Sequence, residues 1–283
     1  MTLYSDAHLH VNPVYGLGAG KIAKKFKNVN GWFLAIVSLP PHHYGFPMSL
    51  EGYLKTVDVA TEECVKSRSV GLEAVCLAGL HPADIDKLLT VHKWDVENVL
   101  NLVEKLFSYI AKLCVDQKVS GIGEVGRQHY RTDPRNLVLA EFIMDRALEI
   151  AKDLDVLIHL HLEQGGLITI LDLDKRVKRI GVRRERVIIH HANTQTAKYA
   201  VKYNFPFTVV GNENLVKSVI NYKNLLMIES DFIDDPKRPG VVMYPWEIPK
   251  RVGKLIEEGT MSKEDIYKIC VENIVKIYGV NPP

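Results

Sequence analysis

No run in the 283-residue sequence reaches the ~18 consecutive apolar residues that a membrane-crossing helix needs, so no span is predicted. No basic segment followed by an apolar run opens the chain, which predicts no secretory leader. Cysteine is scarce: Cys64, Cys76, Cys114 and Cys270 stand far apart with no CxxC pair. That spacing excludes a zinc finger and a disulfide scaffold, and it predicts reduced, mostly buried thiols in a cytoplasmic protein. Charge of one sign is scarce too. A net charge of +2 is too mild for general affinity to nucleic acid. The basic clusters at 21–27, 175–179 and 183–186 read as solvated helix faces. Low-complexity segments and Pro/Gly/Ser linkers are missing, so residues 1–283 are expected to form a single domain. No membrane partner and no protein partner is evident.

What the sequence does contain is alternation. Short apolar runs rich in Val and Ile lie near 3–9, 31–39, 72–80, 119–125, 156–162, 186–191, 207–211 and 225–231. Segments of helical periodicity follow near 50–67, 96–116, 136–154, 166–180, 194–203 and 213–222, with a last pair at 246–258 and 262–278. Ser262, with Asp265 three residues on, has the form of a helix N-cap. Alternating strands and helices imply a parallel sheet with right-handed crossovers. Eight repeats predict an α/β fold, a (β/α)8 TIM barrel, with an open doubly wound sheet as the alternative.

Polar residues gather at the C-terminal ends of these runs. The first carries Asp6, His8 and His10 at a spacing of two, on one face of a strand. His81 follows the third run, and Glu124 sits among glycines in the fourth. The fifth carries His159 and His161, the sixth His190 and His191, and the eighth Glu229 and Asp231. In a parallel barrel all these ends open on one face. Leaving so many polar groups unsatisfied would cost about 1–3 kcal/mol each, whereas imidazole and carboxylate together suit Zn²⁺ and similar ions. Read singly, His81 and His129 are satisfied core histidines, and the two neighbours His190 and His191 must face opposite ways in a strand.

With these residues in hand, the chain resembles the TatD-like metal-dependent hydrolases, an amidohydrolase-type TIM-barrel family. Asp6-Ala-His-Leu-His10 resembles the family's D-x-H-x-H, and Gly79-Leu-His-Pro82 its G-x-H-P. Gly123-Glu-Val-Gly126 with Tyr130 is similar to G-E-x-G-x-x-Y, Glu229-Ser-Asp231 to E-T-D, and Asn273 to Gly279 to the closing helix. The chain departs from the family at several places, among them His190-His191 in place of one histidine and the loop from Pro40 to Gly45. Glu163 stands where H-x-R has arginine, Arg127 replaces a leucine, and Gln128 replaces an aspartate.

The resemblance implies metal-assisted hydrolysis by one or two divalent ions, Zn first and Mg or Mn second. The implied ligands are His8, His10, Glu124, His161, His191 and Asp231. His161 is favoured over His159 by an ungapped count from Leu148, and His191 over His190 by its Ala-Asn-Thr frame. Glu124 is expected to bridge two ions and Asp231 to take the proton of the attacking water, with a low pKa beside the metal. His81 is expected to contact substrate, Glu163 to orient a ligand imidazole, and Glu229 to be a buried acid paired with Lys or Arg. The implied substrate is a small-molecule or nucleic-acid phosphodiester, as for a deoxyribonuclease. A lactonase, amidase or phosphotriesterase is the alternative within enzymes, although its bridging lysine is missing from the fourth run. A metal-bound binding protein without turnover is the alternative outside them. Replacing His8 with Ala is expected to abolish metal content and hydrolysis together, read by elemental analysis and a phosphodiesterase assay.

Overall fold

The computed structural model describes residues 2–237 and 242–282. The strands and main helices run in chain order. They are β1 (Tyr4–His10), α1 (Ala19–Lys27), β2 (Gly31–Val37), α2 (Leu50–Ser69), β3 (Glu73–Ala78), α3 (Pro82–Asp86) and α4 (Val96–Val115). Then follow β4 (Gly121–Gly126), α5 (Pro134–Leu154), β5 (Leu157–His161), α6 (Leu167–Ile180), β6 (Val187–Ile189), α7 (Thr194–Lys202) and β7 (Phe207–Val210). The last are α8 (Glu213–Val219), β8 (Leu226–Glu229), β9 (Phe232–Ile233), α9 (Ile248–Glu257), α10 (Lys263–Tyr267) and α11 (Asn273–Tyr278). All eight expected runs become parallel strands.

The sheet order is β8-β7-β6-β5-β4-β3-β2-β1-β9. Only Ser230 and Asp231 separate β8 from β9, so one segment pairs with β7 through β8 and with β1 through β9. This segment curls the TIM-barrel sheet onto its first strand. Two carboxylates hold the closure. Asp6 accepts from the backbone N–H of Ser230 at 2.8 Å and from its hydroxyl. Asp234 accepts the N–H groups of Asn12 (3.0 Å), Leu17 (2.8 Å) and Gly18 (2.8 Å), fixing the loop between β1 and α1.

Strand alternation divides the core into two layers. Inward residues Phe33, Leu77, Leu157, Ile188 and Met227 fill the barrel, and Ile274, Ile277 and Tyr278 of α11 pack on them. Outward residues such as Leu34, Ile36, Ile158 and Ile189 meet the helices. Ser262 caps α10 in the expected reciprocal box with Asp265. Helix α1 agrees with the solvated basic helix face read at 21–27, its lysines exposed, whereas the helical stretch from Pro82 is not among the helices expected from the sequence. Both are short, and α1 buries only Ala19, Ile22, Ala23 and Phe26 among its lysines.

The cysteine expectation is corrected. Cys64 of α2 and Cys76 of β3 are joined as a disulfide, with Cα atoms 6.1 Å apart, because the helix packs directly on its following strand. Cys114 and Cys270 remain free and buried. The basic clusters of 175–186 are paired with acids: Arg176 and Arg179 with Asp145, Arg184 with Asp174, and Arg186 with Asp155. Among the described residues no helix is long and apolar enough to cross a membrane.

Asp234→Ala leaves three backbone donors without their acceptor. It is expected to cost about 3 kcal/mol or more, read as a lower urea midpoint at unchanged slope.

Candidate metal centre

Glu124 lies at the C-terminal end of β4 with its carboxylate facing a ring of imidazoles. Its Oε2 is 3.3 Å from His8 Nε2, 3.8 Å from His10 Nε2 and 3.6 Å from His190 Nε2. Its Oε1 is 3.2 Å from His81 Nε2 and 3.3 Å from His161 Nδ1. Asp231, just past β8, completes the ring with an oxygen 3.7 Å from His190 Nε2. The backbone of Asp231 is left-handed (φ 50°), and its N–H bonds the His8 carbonyl at 3.0 Å. All of these except His8, which is fully buried, line a cavity of about 410 Å³ at the strand ends.

The glycines of β4 let β5 approach closely. A Cβ at Gly126 would lie 1.9 Å from the His161 carbonyl oxygen, so only glycine fits there.

Electrostatics suit a cation. Burial lowers the pKa of His10 to about 3 and holds His190 and His161 below the usual histidine range, so their rings are neutral and offer lone pairs. Burial pushes Glu124 up, but His81, His161 and His8 outweigh it and hold the carboxyl well below its ordinary value. Burial, with Glu124 and Asp6 as neighbours, pushes Asp231 well above the carboxylate range. The low value expected for Asp231 therefore requires a bound cation to be present.

Three further observations fit a metal. His8 Nε2 and His10 Nε2 are 3.4 Å apart, and two ligands on one tetrahedral Zn²⁺ at bond lengths of about 2.0–2.1 Å stand about that far apart. His161 Nε2 is buried without a hydrogen-bond partner among the described residues. His8, His10 and Asp231 form one group of converging donors, and His81, Glu124 and His161 form another.

Hydrogen bonds behind the rings determine which nitrogen each presents. His10 Nδ1 is 3.1 Å from the Val37 carbonyl, which only accepts, so Nε2 is left with the lone pair. His190 Nδ1 lies 2.8 Å from Glu229 Oε2, the carboxylate–imidazole pairing that turns Nε2 toward a metal. His191 is held the other way. The Gln164 side-chain amide nitrogen donates to the His191 carbonyl at 2.7 Å and lies 2.9 Å from His191 Nδ1, which therefore accepts. The proton of neutral His191 then sits on Nε2. His81 is alike: Nδ1 accepts the Ala83 N–H at 3.0 Å, and Nε2 donates to Glu124.

Several expectations change. His190 and His191 do not face opposite ways, because β6 ends at Ile189 and His191 turns left-handed (φ 41°); both rings line the cavity, 4.3 Å apart. His159 and His161 share the inward face, but His159 lies deeper, against His8 and Tyr278. Glu229 pairs with His190 rather than with a lysine or arginine. His129 is no core residue; it is exposed at the cavity wall, 4.6 Å from the His161 ring. Lys87 also lines the cavity, and nothing in its lysine-poor surroundings marks it in the sequence.

Glu163 does not orient an imidazole. It grips buried Arg127 with both oxygens at 2.7 and 2.8 Å, and Arg127 also contacts Asp172 and Glu141. Where the resemblance gives an arginine at the end of β5 this chain has Glu163, and its partner Arg127 stands at the end of β4.

Residues 5–279 match the family model described as TatD related DNase. An uncharacterized protein of Methanocaldococcus jannaschii is 29% identical over 280 residues, covering 98% of this chain and 96% of its own. YabD of Bacillus subtilis, an uncharacterized metal-dependent hydrolase, is 22% identical over 200 residues, covering 66% of this chain and 76% of its own. The crystal structure of a TatD-like protein from Archaeoglobus fulgidus superposes with a TM-score of 0.65 at 19% identity, covering 98% of this chain and 100% of that one.

Arg127→Leu leaves Glu163 without its cation, while Asp172 and Glu141 keep Arg176. It is expected to cost about 3–5 kcal/mol in urea unfolding, with bound metal per folded protein unchanged.

Proposed function

The chain belongs to the TatD-related DNase family, and on that premise we propose that it is a metal-dependent hydrolase acting on phosphodiesters. The observation that carries this reading is the Glu124 carboxylate among five imidazole nitrogens within 3.8 Å, next to Asp231. The ligands we assign are His8, His10, Glu124, His161, His190 and Asp231. His190 takes the place that the sequence reading gives to His191, because its Nε2 carries the lone pair. A donor set rich in imidazole suits Zn²⁺ better than Mg²⁺ or Mn²⁺, which favour oxygen.

When bound, the ion supplies an activated water near neutral pH and polarises the bond to be cleaved. Asp231 holds the proton released at the attacking water; its carboxylate faces the cavity from the closing segment. His81 and His191 keep their N–H groups directed inward, toward Glu124 and toward His161, and offer hydrogen bonds to oxygens of a bound phosphodiester. Lys87 at the wall adds a positive charge suited to the same anion. Arg127 takes no part, since its donors are spent on carboxylates. The wider-group alternative with a bridging lysine is disfavoured, because β4 holds no lysine.

The test is turnover of metal-loaded protein with bis-p-nitrophenyl phosphate, single-stranded DNA and a lactone panel, before and after chelation. We expect diester cleavage that chelation abolishes and Zn²⁺ restores. His190→Ala is expected to lose metal, whereas His191→Ala keeps its metal and loses at least about tenfold in kcat. Cleavage of lactones alone would replace this reading with a lactonase, and bound metal without any turnover would replace it with a binding protein.

A further inference from the structure

Below the cage lies a hydrogen-bonded line of fully buried side chains that the chemistry above does not use. The Tyr278 hydroxyl of α11 is 3.0 Å from the Ala7 carbonyl and 3.0 Å from His159 Nε2. His159 Nδ1 is 3.1 Å from His8 Nδ1. His8 then presents Nε2 to Glu124.

We infer that Tyr278 and His159 are positioning residues that hold His8 with its proton on Nδ1 and its lone pair on Nε2, aimed at the metal. The inference rests on the metal-cage reading and extends it below the ligands. It follows from counting protons. A carbonyl oxygen only accepts, so the single Tyr278 proton goes to Ala7. The Tyr278 oxygen must then accept from His159, which puts the His159 proton on Nε2. His159 Nδ1 is left as an acceptor, and His8 Nδ1–H donates to it. A backbone carbonyl at one end of the line thus selects the tautomer of a ligand at the other. Ligand histidines are commonly oriented by a carboxylate or a carbonyl, as His190 and His10 are here. His8 is oriented instead by a neutral imidazole, which adds no charge to the barrel floor.

The sequence makes room for this line. A Cβ on Gly123 would come within 2.8 Å of the His159 Cβ, so glycine on β4 lets the extra imidazole lie inside the barrel. Phe33, 4.8 Å from the Tyr278 ring, walls the line from the apolar side.

The experiment combines long-range proton–nitrogen NMR of the histidine rings with Zn²⁺ affinity by chelator competition. Protein without metal is expected to show His159 with Nε2 protonated and Nδ1 bare. His159→Leu and Tyr278→Phe, checked for folding by circular dichroism, are expected to weaken Zn²⁺ binding about 10–100-fold. His159→Asn, whose side-chain oxygen can accept from His8 in place of Nδ1, is expected to recover most of that loss. A proton on His159 Nδ1, or equal affinity in all three variants, overturns the inference while wild-type Zn²⁺ binding leaves the cage standing. Failure of the wild type to bind Zn²⁺ would instead remove the cage and the inference built on it.

Discussion

A carboxylate buried among imidazoles is the constraint around which this barrel is arranged. Glu124 is 6% exposed, and the rings around it come from β1, β5 and the loops after β3 and β6. None of these segments is close to another in sequence. They meet because parallel strands deliver their C-terminal ends to one face, and because the sheet curls until β9 lies against β1. The carboxylate clamps made by Asp6 and Asp234 therefore serve the site as much as the fold. They tie the segment that carries Asp231 to the strand that carries His8 and His10.

Seen from the cage outward, each group is held by a partner of defined proton demand. His10 rests on a carbonyl, His190 on Glu229, His191 on Gln164 and His8 on His159. These partners sort four clustered histidines into those presenting lone pairs and those presenting N–H groups. Farther out, Arg127 joins the ends of β4 and β5 to α5 and α6 through Glu163, Glu141 and Asp172. That network keeps the two strand ends in register without placing a charge in the cavity.

Much of this was legible in the sequence. All eight apolar runs became strands because parallel barrel strands are buried on both faces, and continuous Val- and Ile-rich stretches advertise that burial. The histidine pair of the first strand was legible because a period of two puts both rings on one side. Legibility ended where the backbone left ideal geometry. The order of His190 and His191 was hidden because His191 adopts a left-handed turn that alternation does not anticipate. The depth of His159 below His161 follows from the room beside Gly123, which only the packed barrel reveals. Glu163 found Arg127 across two strand ends, and Cys64 found Cys76 across a helix–strand contact. Both pairings depend on tertiary packing that local pattern does not encode.

The central claim is that the side chains converging on Glu124 form a cation cage. Anomalous diffraction from crystals of the metal-loaded protein tests it most directly. The account predicts anomalous density bounded by Glu124, His8, His10, His190 and Asp231, with any second ion on the Glu124–His161 side. Density only elsewhere, or a clear space among these residues at saturating metal, would contradict it.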